Sequence, residues 1–395
     1  MTEATMKPNH DPGSALFSYG FRPFFLGAAL FAGIAVPTWL VLLAGIIHVD
    51  FGYPSRDWHV HEMVFGFLPG VIAGFLLTAI PNWTDRPPIS GRPLILLFTL
   101  WFAGRLSMAC PWLPGSVAAL VDCSFLIALA GVLWREITAG QAWNRFPMGV
   151  LITLYAMANI LFHILALGEQ ETDLASRIAL GVLMILLVLI GGRITPGFTE
   201  DFLAERGMPQ HPLPVSRFDG IAILLLVMAA LAWIARPQHM VSGAFLITAG
   251  LINIVRLARW QGWSTWREPL VLILHVGYGW LSLSLVILGG SIIGIGLPSE
   301  HAIHALTTGA VGAMTLAVMT RATLGHTGRR KHAGRLTVSI YVLVNLGALL
   351  RVLTPTLEGS SLLILGLATA GWSGAYLLFA GIYGPYLLQP SLENE

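Results

Sequence analysis

A recurring apolar window limits what this chain can fold into more than any other feature of its sequence. Stretches of about twenty residues with almost no charge, divided by Pro, Gly and charged residues, lie near 24–46, 59–80, 93–110, 115–134, 147–167, 175–194, 218–235, 240–260, 269–293, 302–323, 336–353 and 361–384. At a rise of 1.5 Å per residue, about twenty residues cross the roughly 30 Å hydrocarbon core of a bilayer as a helix. The expected fold class is therefore all-α: a polytopic membrane protein of about twelve transmembrane helices, forming one integral membrane domain over 1–395 with the lipid bilayer as its surroundings. Of the residues 55% are apolar and 11% charged, against roughly a quarter charged in soluble domains. Polar faces at helical period are missing, which excludes a large soluble helical protein. The net charge of +2 gives no reason to expect a nucleic-acid partner. Cys110 and Cys123 form no CxxC or CxxCH pattern, so covalent c-type haem, a zinc ribbon and a disulfide framework are excluded and any cofactor is held non-covalently. The first twenty residues are polar and carry no cleavage pattern, so the first span is expected to direct insertion.

Sidedness follows from the basic residues. With the N-terminus inside, seventeen of the 22 Lys and Arg fall on cytoplasmic segments and five, Arg56, Arg105, Arg177, Arg236 and Arg351, fall outside. The positive-inside rule then places both termini in the cytoplasm. The longest gap, Thr195 to Arg217, is polar and Pro-rich and is expected to be a cytoplasmic loop.

One helix type occurs three times. Moving 243 positions superposes His61, Gly66 and Thr84 on His304, Gly309 and Thr327; moving 115 superposes Gly66, Pro81 and Thr84 on Gly181, Pro196 and Thr199, with Ser176 where the others have histidine. The copies are the second, sixth and tenth spans. Spans one, five and nine each follow a cluster of aromatic, Arg and Pro: Phe21-Arg22-Pro23, Trp143 to Pro147, and Trp266 to Pro269. Three successive four-helix groups, about 1–140, 141–262 and 263–395, are the expected architecture.

Histidines are the candidate chemistry. His59 and His61 enter span two from the outer side, His301 and His304 enter span ten from the same side, and His163 lies in the outer part of span five. Five imidazoles thus converge on one leaflet, and His275 stands apart in the inner half of span nine. His59 and His61 are too close to share a helix face unless the first turn unwinds. Neutral imidazole suits haem iron and copper, so His61 and His304, matched in depth, are the expected axial pair for haem b. His59, His163 and His301 are the candidate ligands for a second metal, copper. Arg105, Arg236 and Arg351 recur at the outer ends of spans three, seven and eleven, where carboxylates such as haem propionates would need charge-assisted partners. Arg193 and Arg321 are expected to be cytoplasmic anchors.

At these residues the chain resembles the NnrS family of bacterial nitric-oxide-response membrane proteins. The resemblance is carried by Ser18 to Phe25, Trp58 to Thr84, Gly191 to Thr199 and His301 to Arg329. It implies a haem- and copper-containing inner-membrane protein that protects against nitric oxide. A more distant similarity in layout, to haem-copper oxidases and nitric oxide reductases, implies twelve helices in three arcs with low-spin haem ligands on spans two and ten. Those families take metal ligands from spans six and seven, which contain no histidine here, and they space the span-ten pair as HxH where this chain has HxxH. The resulting expectation is a haem protein, with copper as the candidate second metal, that binds or reacts with nitric oxide. A secondary transporter is the alternative, since twelve helices and internal repeats suit one equally, and a nitric oxide reductase-like enzyme is the third reading.

Overall fold

The computed structural model describes residues 15–49, 51–209, 211–356 and 361–392; Lys7 and His10, read from the sequence as lying in the cytoplasmic tail, fall outside them. Twelve long helices account for the described residues, with no strand among them: α1 (Phe21–Leu43), α2 (Ser55–Thr84), α3 (Arg92–Met108), α4 (Gly115–Ala139), α5 (Phe146–Leu167), α6 (Asp173–Glu205), α7 (Arg217–Ala235), α8 (Met240–Ala258), α9 (Pro269–Ile292), α10 (Ser299–His326), α11 (Arg335–Leu353) and α12 (Ser361–Leu388). Eleven are long and apolar enough to cross a bilayer; α3, at 17 residues, is the shortest of the twelve. The protein is a polytopic membrane protein.

One expected boundary is wrong. Pro196 and a run of charge end the apolar window and predict a loop after Thr195, yet α6 continues through Pro196 to Glu205. Phe202 and Leu203 pack against Val271, and this burial extends the helix until Gly207, at φ +60°, turns the chain away. Only 206–216 remain as the connection.

Each helix packs on the next in sequence, and α12 returns to α1. Arg22 fastens that closure. Its guanidinium, 2% exposed, donates to the carbonyls of Tyr386, Leu387 and Gln389 at 3.3, 2.9 and 2.5 Å and to the Ser391 hydroxyl at 2.9 Å. The Arg of the Phe-Arg-Pro cluster therefore caps the last carbonyls of α12, which have no partner within their own helix.

Among the eleven, α2 is the most enclosed, with 78% of its most apolar window buried, followed by α10 at 67% and by α6 and α9 at 61% each, against 28% in α1. Facing residues of α2, α6 and α10 line a small apolar cavity in the middle of the bundle, and they come in triplets: Leu68, Leu183 and Val311; Val71, Leu186 and Met314; Ile72, Leu187 and Thr315; Phe75, Ile190 and Val318. Within every triplet the offsets are 115 and 243, the same offsets that align the three sequence copies. Positions that match in sequence thus meet around one axis.

The aligned glycines and threonines now have physical reasons. A Cβ on Gly66 would run into the Arg105 guanidinium, one on Gly181 would sit 2.8 Å from Ile234, and one on Gly309 would sit 2.5 Å from the Trp280 ring. Each admits a side chain from a neighbouring helix. Thr84, Thr199 and Thr327 each donate to the carbonyl four residues back, at 2.9, 2.8 and 2.6 Å, so that a hydroxyl can be buried in apolar surroundings with its hydrogen bond made.

In both α2 and α10 a π-helical stretch interrupts the α-helix immediately after the aligned histidine, over Glu62–Phe67 and Ala305–Ala310. These too lie 243 positions apart. Leu68 N–H reaches back five residues to Met63, and Val311 N–H to Leu306, the spacing that defines a π turn. Pro69 removes a donor just beyond the first stretch, whereas in the second the Thr308 hydroxyl occupies the His304 carbonyl at 2.6 Å. The copy with Ser176 in place of histidine stays α-helical throughout.

Candidate metal centre

The turn preceding the π stretch in α2 is regular helix from Ser55 to His61. His59 and His61 accordingly point to different faces and join different groups.

His61 is completely enclosed. Its Nδ1 lies 2.8 Å from Glu62 Oε1, and its Nε2 lies 3.2 Å from His163 Nε2 and 3.2 Å from Asp122 Oδ2. His163 Nε2 in turn lies 3.0 Å from the same Asp122 oxygen. Three donor atoms from α2, α4 and α5 therefore face one point, and they are the one metal-competent cluster among the described residues. Adjacent donors around a tetrahedral ion with bonds of about 2.0 Å stand about 3.3 Å apart, which is the spacing seen here.

The shell behind these atoms is complete on almost every side. Arg105 donates to Glu62 Oε1 at 2.5 Å and to Asp122 Oδ1, and Asn159 donates to Asp122 Oδ2 at 2.8 Å. Tyr53 OH lies 2.9 Å from His163 Nδ1. Tyr53 precedes α2, and burial, reinforced by Asp122 and Cys123, pushes its phenol up to about 12, so the hydroxyl keeps its proton. Phe65 and Phe162 close over His61 with ring centroids 5.6 and 5.2 Å away.

Counting protons gives the electrostatics. Ionised Glu62 can only accept, so His61 Nδ1 carries a proton, and its Nε2, facing Asp122, either carries a second proton or turns a lone pair to an ion. With both imidazoles neutral, one guanidinium faces two carboxylates, and the cluster keeps a net charge of −1 out of water. Such a charge is costly without a counterion. A proton on His61 or a metal ion would balance it; the convergence of two nitrogens and an oxygen at coordination spacing favours the ion.

The second group lies beside α10. His304 Nδ1 donates to the Glu300 carbonyl at 2.6 Å, leaving Nε2 as the free nitrogen. His59 stacks on Trp39, with centroids 4.1 Å apart and the planes at 21°. His59, His304 and Arg351 line one cavity of about 70 Å³ with Trp39 and Trp372, whose indole N–H groups are buried with no partner. Arg351 also donates to His301 Nδ1 at 2.9 Å.

The expected axial pair is thus divided between two groups, His61 with His163 and His304 with His59. The expected copper set is divided as well, with His163 in the first group, His59 in the second, and His301 on Arg351. The three outer arginines have three different situations: Arg105 neutralises carboxylates, Arg351 lines the small cavity, and Arg236 is exposed. His275 belongs to neither group; its Nε2 lies 2.8 Å from the Thr199 hydroxyl.

Three residues of the first group escaped the sequence reading: Asp122, Asn159 and Tyr53. Two signals were available. Asp122 is the one acid in the apolar part of α4, and Asn159 sits one helical turn before His163 on the same face of α5.

Twelve apolar helices with a buried ionisable cluster at one end of the bundle define a helical membrane protein built around a polar centre. Residues 15–391 match the model of the NnrS protein family, and the chain belongs to that family. No curated protein matches it.

Proposed function

We propose that this protein acts in tolerance of nitric oxide through a metal ion held by His61, His163 and Asp122 close to the outer face of a bacterial inner membrane. Membership of the NnrS family is consistent with a role in the nitric oxide response. The observation that carries the site is the 3.0–3.2 Å triangle of His61 Nε2, His163 Nε2 and Asp122 Oδ2. Two imidazoles and one carboxylate are a donor set for iron or copper, and such an ion would leave an open coordination position for a small diatomic ligand.

The protein's own residues set the conditions. Glu62 holds the His61 proton on Nδ1, so that the Nε2 lone pair faces the site. A metal ion held by His163 would use the Nε2 lone pair, with the imidazole proton carried on Nδ1 and the Tyr53 oxygen accepting from it. Asn159 and Arg105 keep Asp122 oriented, and Arg105 offsets the second carboxylate. Phe65 and Phe162 close over His61 and keep water from it, an apolar wall that favours an uncharged ligand.

Haem between His61 and His304 does not fit these residues. His61 does not line the cavity beside His304, its Nε2 facing His163 and Asp122 instead, and that cavity, about 70 Å³, is far below the roughly 300–1,000 Å³ of pockets that hold cofactor-sized ligands. A non-haem centre is therefore the reading favoured here. In a bacterium that depends on this chain for growth under a nitric oxide donor, His61→Ala and His163→Ala should reduce resistance to the level of the deletion strain, with membrane protein levels unchanged. Undiminished resistance in both variants would contradict the proposal.

A further inference from the structure

A cavity of about 710 Å³ lies at the opposite end of α2, α6 and α10 from the histidines. It continues the apolar cavity on the axis, sharing Phe75, Ile190, Ile194 and Val318 with it. Towards its mouth it collects four cations, Arg145, Arg193, Arg321 and Lys331, and no carboxylate lines it.

None of these four forms an ion pair among the described residues. The Arg321 guanidinium lies over the Phe198 ring at 3.9 Å and that of Arg145 over Trp83 at 5.2 Å. A guanidinium stacked on an aromatic face keeps its N–H edge free, and Arg145 Nε is buried with no partner. Asp201, Glu205 and Glu268 act on Arg321 only through space. Two of the cations hold matched positions, for Arg193 and Arg321 form one layer of the axis with Thr78, at the same offsets of 115 and 243. They were expected to be membrane-surface anchors; both face the cavity.

Unpaired cations gathered at the mouth of an apolar chamber repel one another, and an anionic head group would relieve that repulsion. The chamber behind them falls in the size range of pockets that enclose a whole small molecule. We infer that this chamber is a binding site for an amphiphilic anion, with an apolar body seated among Phe75, Ile190 and Val318 and a carboxylate or phosphate held by Arg145, Arg193 and Arg321. The site is separate from the histidine centre and does not depend on it.

Two sources share this chemistry, a lipid carboxylate and a lipid phosphate, and one experiment separates them. Full-length protein in lipid nanodiscs is titrated with oleate and with oleyl phosphate, each beside their neutral counterpart, oleyl alcohol. At least one anion should bind about tenfold or more tightly than its neutral form. Arg321→Gln and Arg145→Gln should each weaken that anion about tenfold, the usual effect of losing one charged hydrogen bond. Val318→Trp, which fills the chamber without touching charge, should also weaken it, while metal bound at His61 and His163 stays unchanged. Equal affinity for anion and neutral form, no binding of either anion, or binding indifferent to all three substitutions would overturn the inference.

Discussion

Arg105, Arg236 and Arg351 recur at one end of their helices and invite one explanation, yet the fold uses them differently. Arg105 is 5% exposed and bonds two carboxylates, so Arg105→Ala leaves Glu62 and Asp122 buried without their counterion, a loss expected to cost about 3–5 kcal/mol. Arg236→Ala, at an exposed position, should change stability by no more than about 0.5 kcal/mol; thermal unfolding in detergent compares the two. Gly66→Ala belongs with the first, because its methyl group meets the Arg105 guanidinium, and about 1–3 kcal/mol of overpacking should appear in the same melt. That glycine could be picked out from the sequence by its register with Gly181 and Gly309, although its reason could not, since the reason is an arginine 39 positions away. Asp122 shows the opposite limit. It is visible as a lone acid in an apolar helix, but nothing local says that α4 and α5 bring it onto His163.

The apolar windows placed all twelve helices, because hydropathy at the scale of a bilayer is set within each segment and needs no tertiary information. Helix ends were less legible. The continuation of α6 past Pro196 depends on Phe202 and Leu203 finding Val271, a contact with a helix more than sixty positions later. The π stretches in α2 and α10 were not legible either; the turn before the first of them stays regular α-helix, so that His59 and His61 serve separate groups. Arg22 shows how one side chain can secure a whole element. Arg22→Met removes four hydrogen bonds to the end of α12, and amide exchange from Tyr386 to Leu392 should rise at least about tenfold, with the middle of α12 unaffected. Unchanged exchange there would mean that α12 is held by packing alone.

At the scale of the molecule, the three sequence copies meet on an axis with a small histidine-rich group at one end and a large cationic chamber at the other. The charge count implies that the histidine end faces outward. Cysteines introduced at Arg56 and Glu300 should therefore react with an impermeant thiol reagent applied to intact cells, and cysteines at Arg86 and Arg329 should not; labelling at Arg86 or Arg329 would reverse the assigned sidedness. The five histidines on one leaflet were readable because helix direction and depth follow from the spans. Their partition into two groups was not, because it depends on which face of α2 each imidazole leaves and on α5 lying beside it. The most direct test of the proposed centre is metal analysis of the purified protein beside its single variants. One iron or copper per chain is expected in the wild type and in His304→Ala, and less than about a tenth of that in His61→Ala, His163→Ala and Asp122→Asn. A wild type without metal, or a full complement in those three variants, would contradict the account.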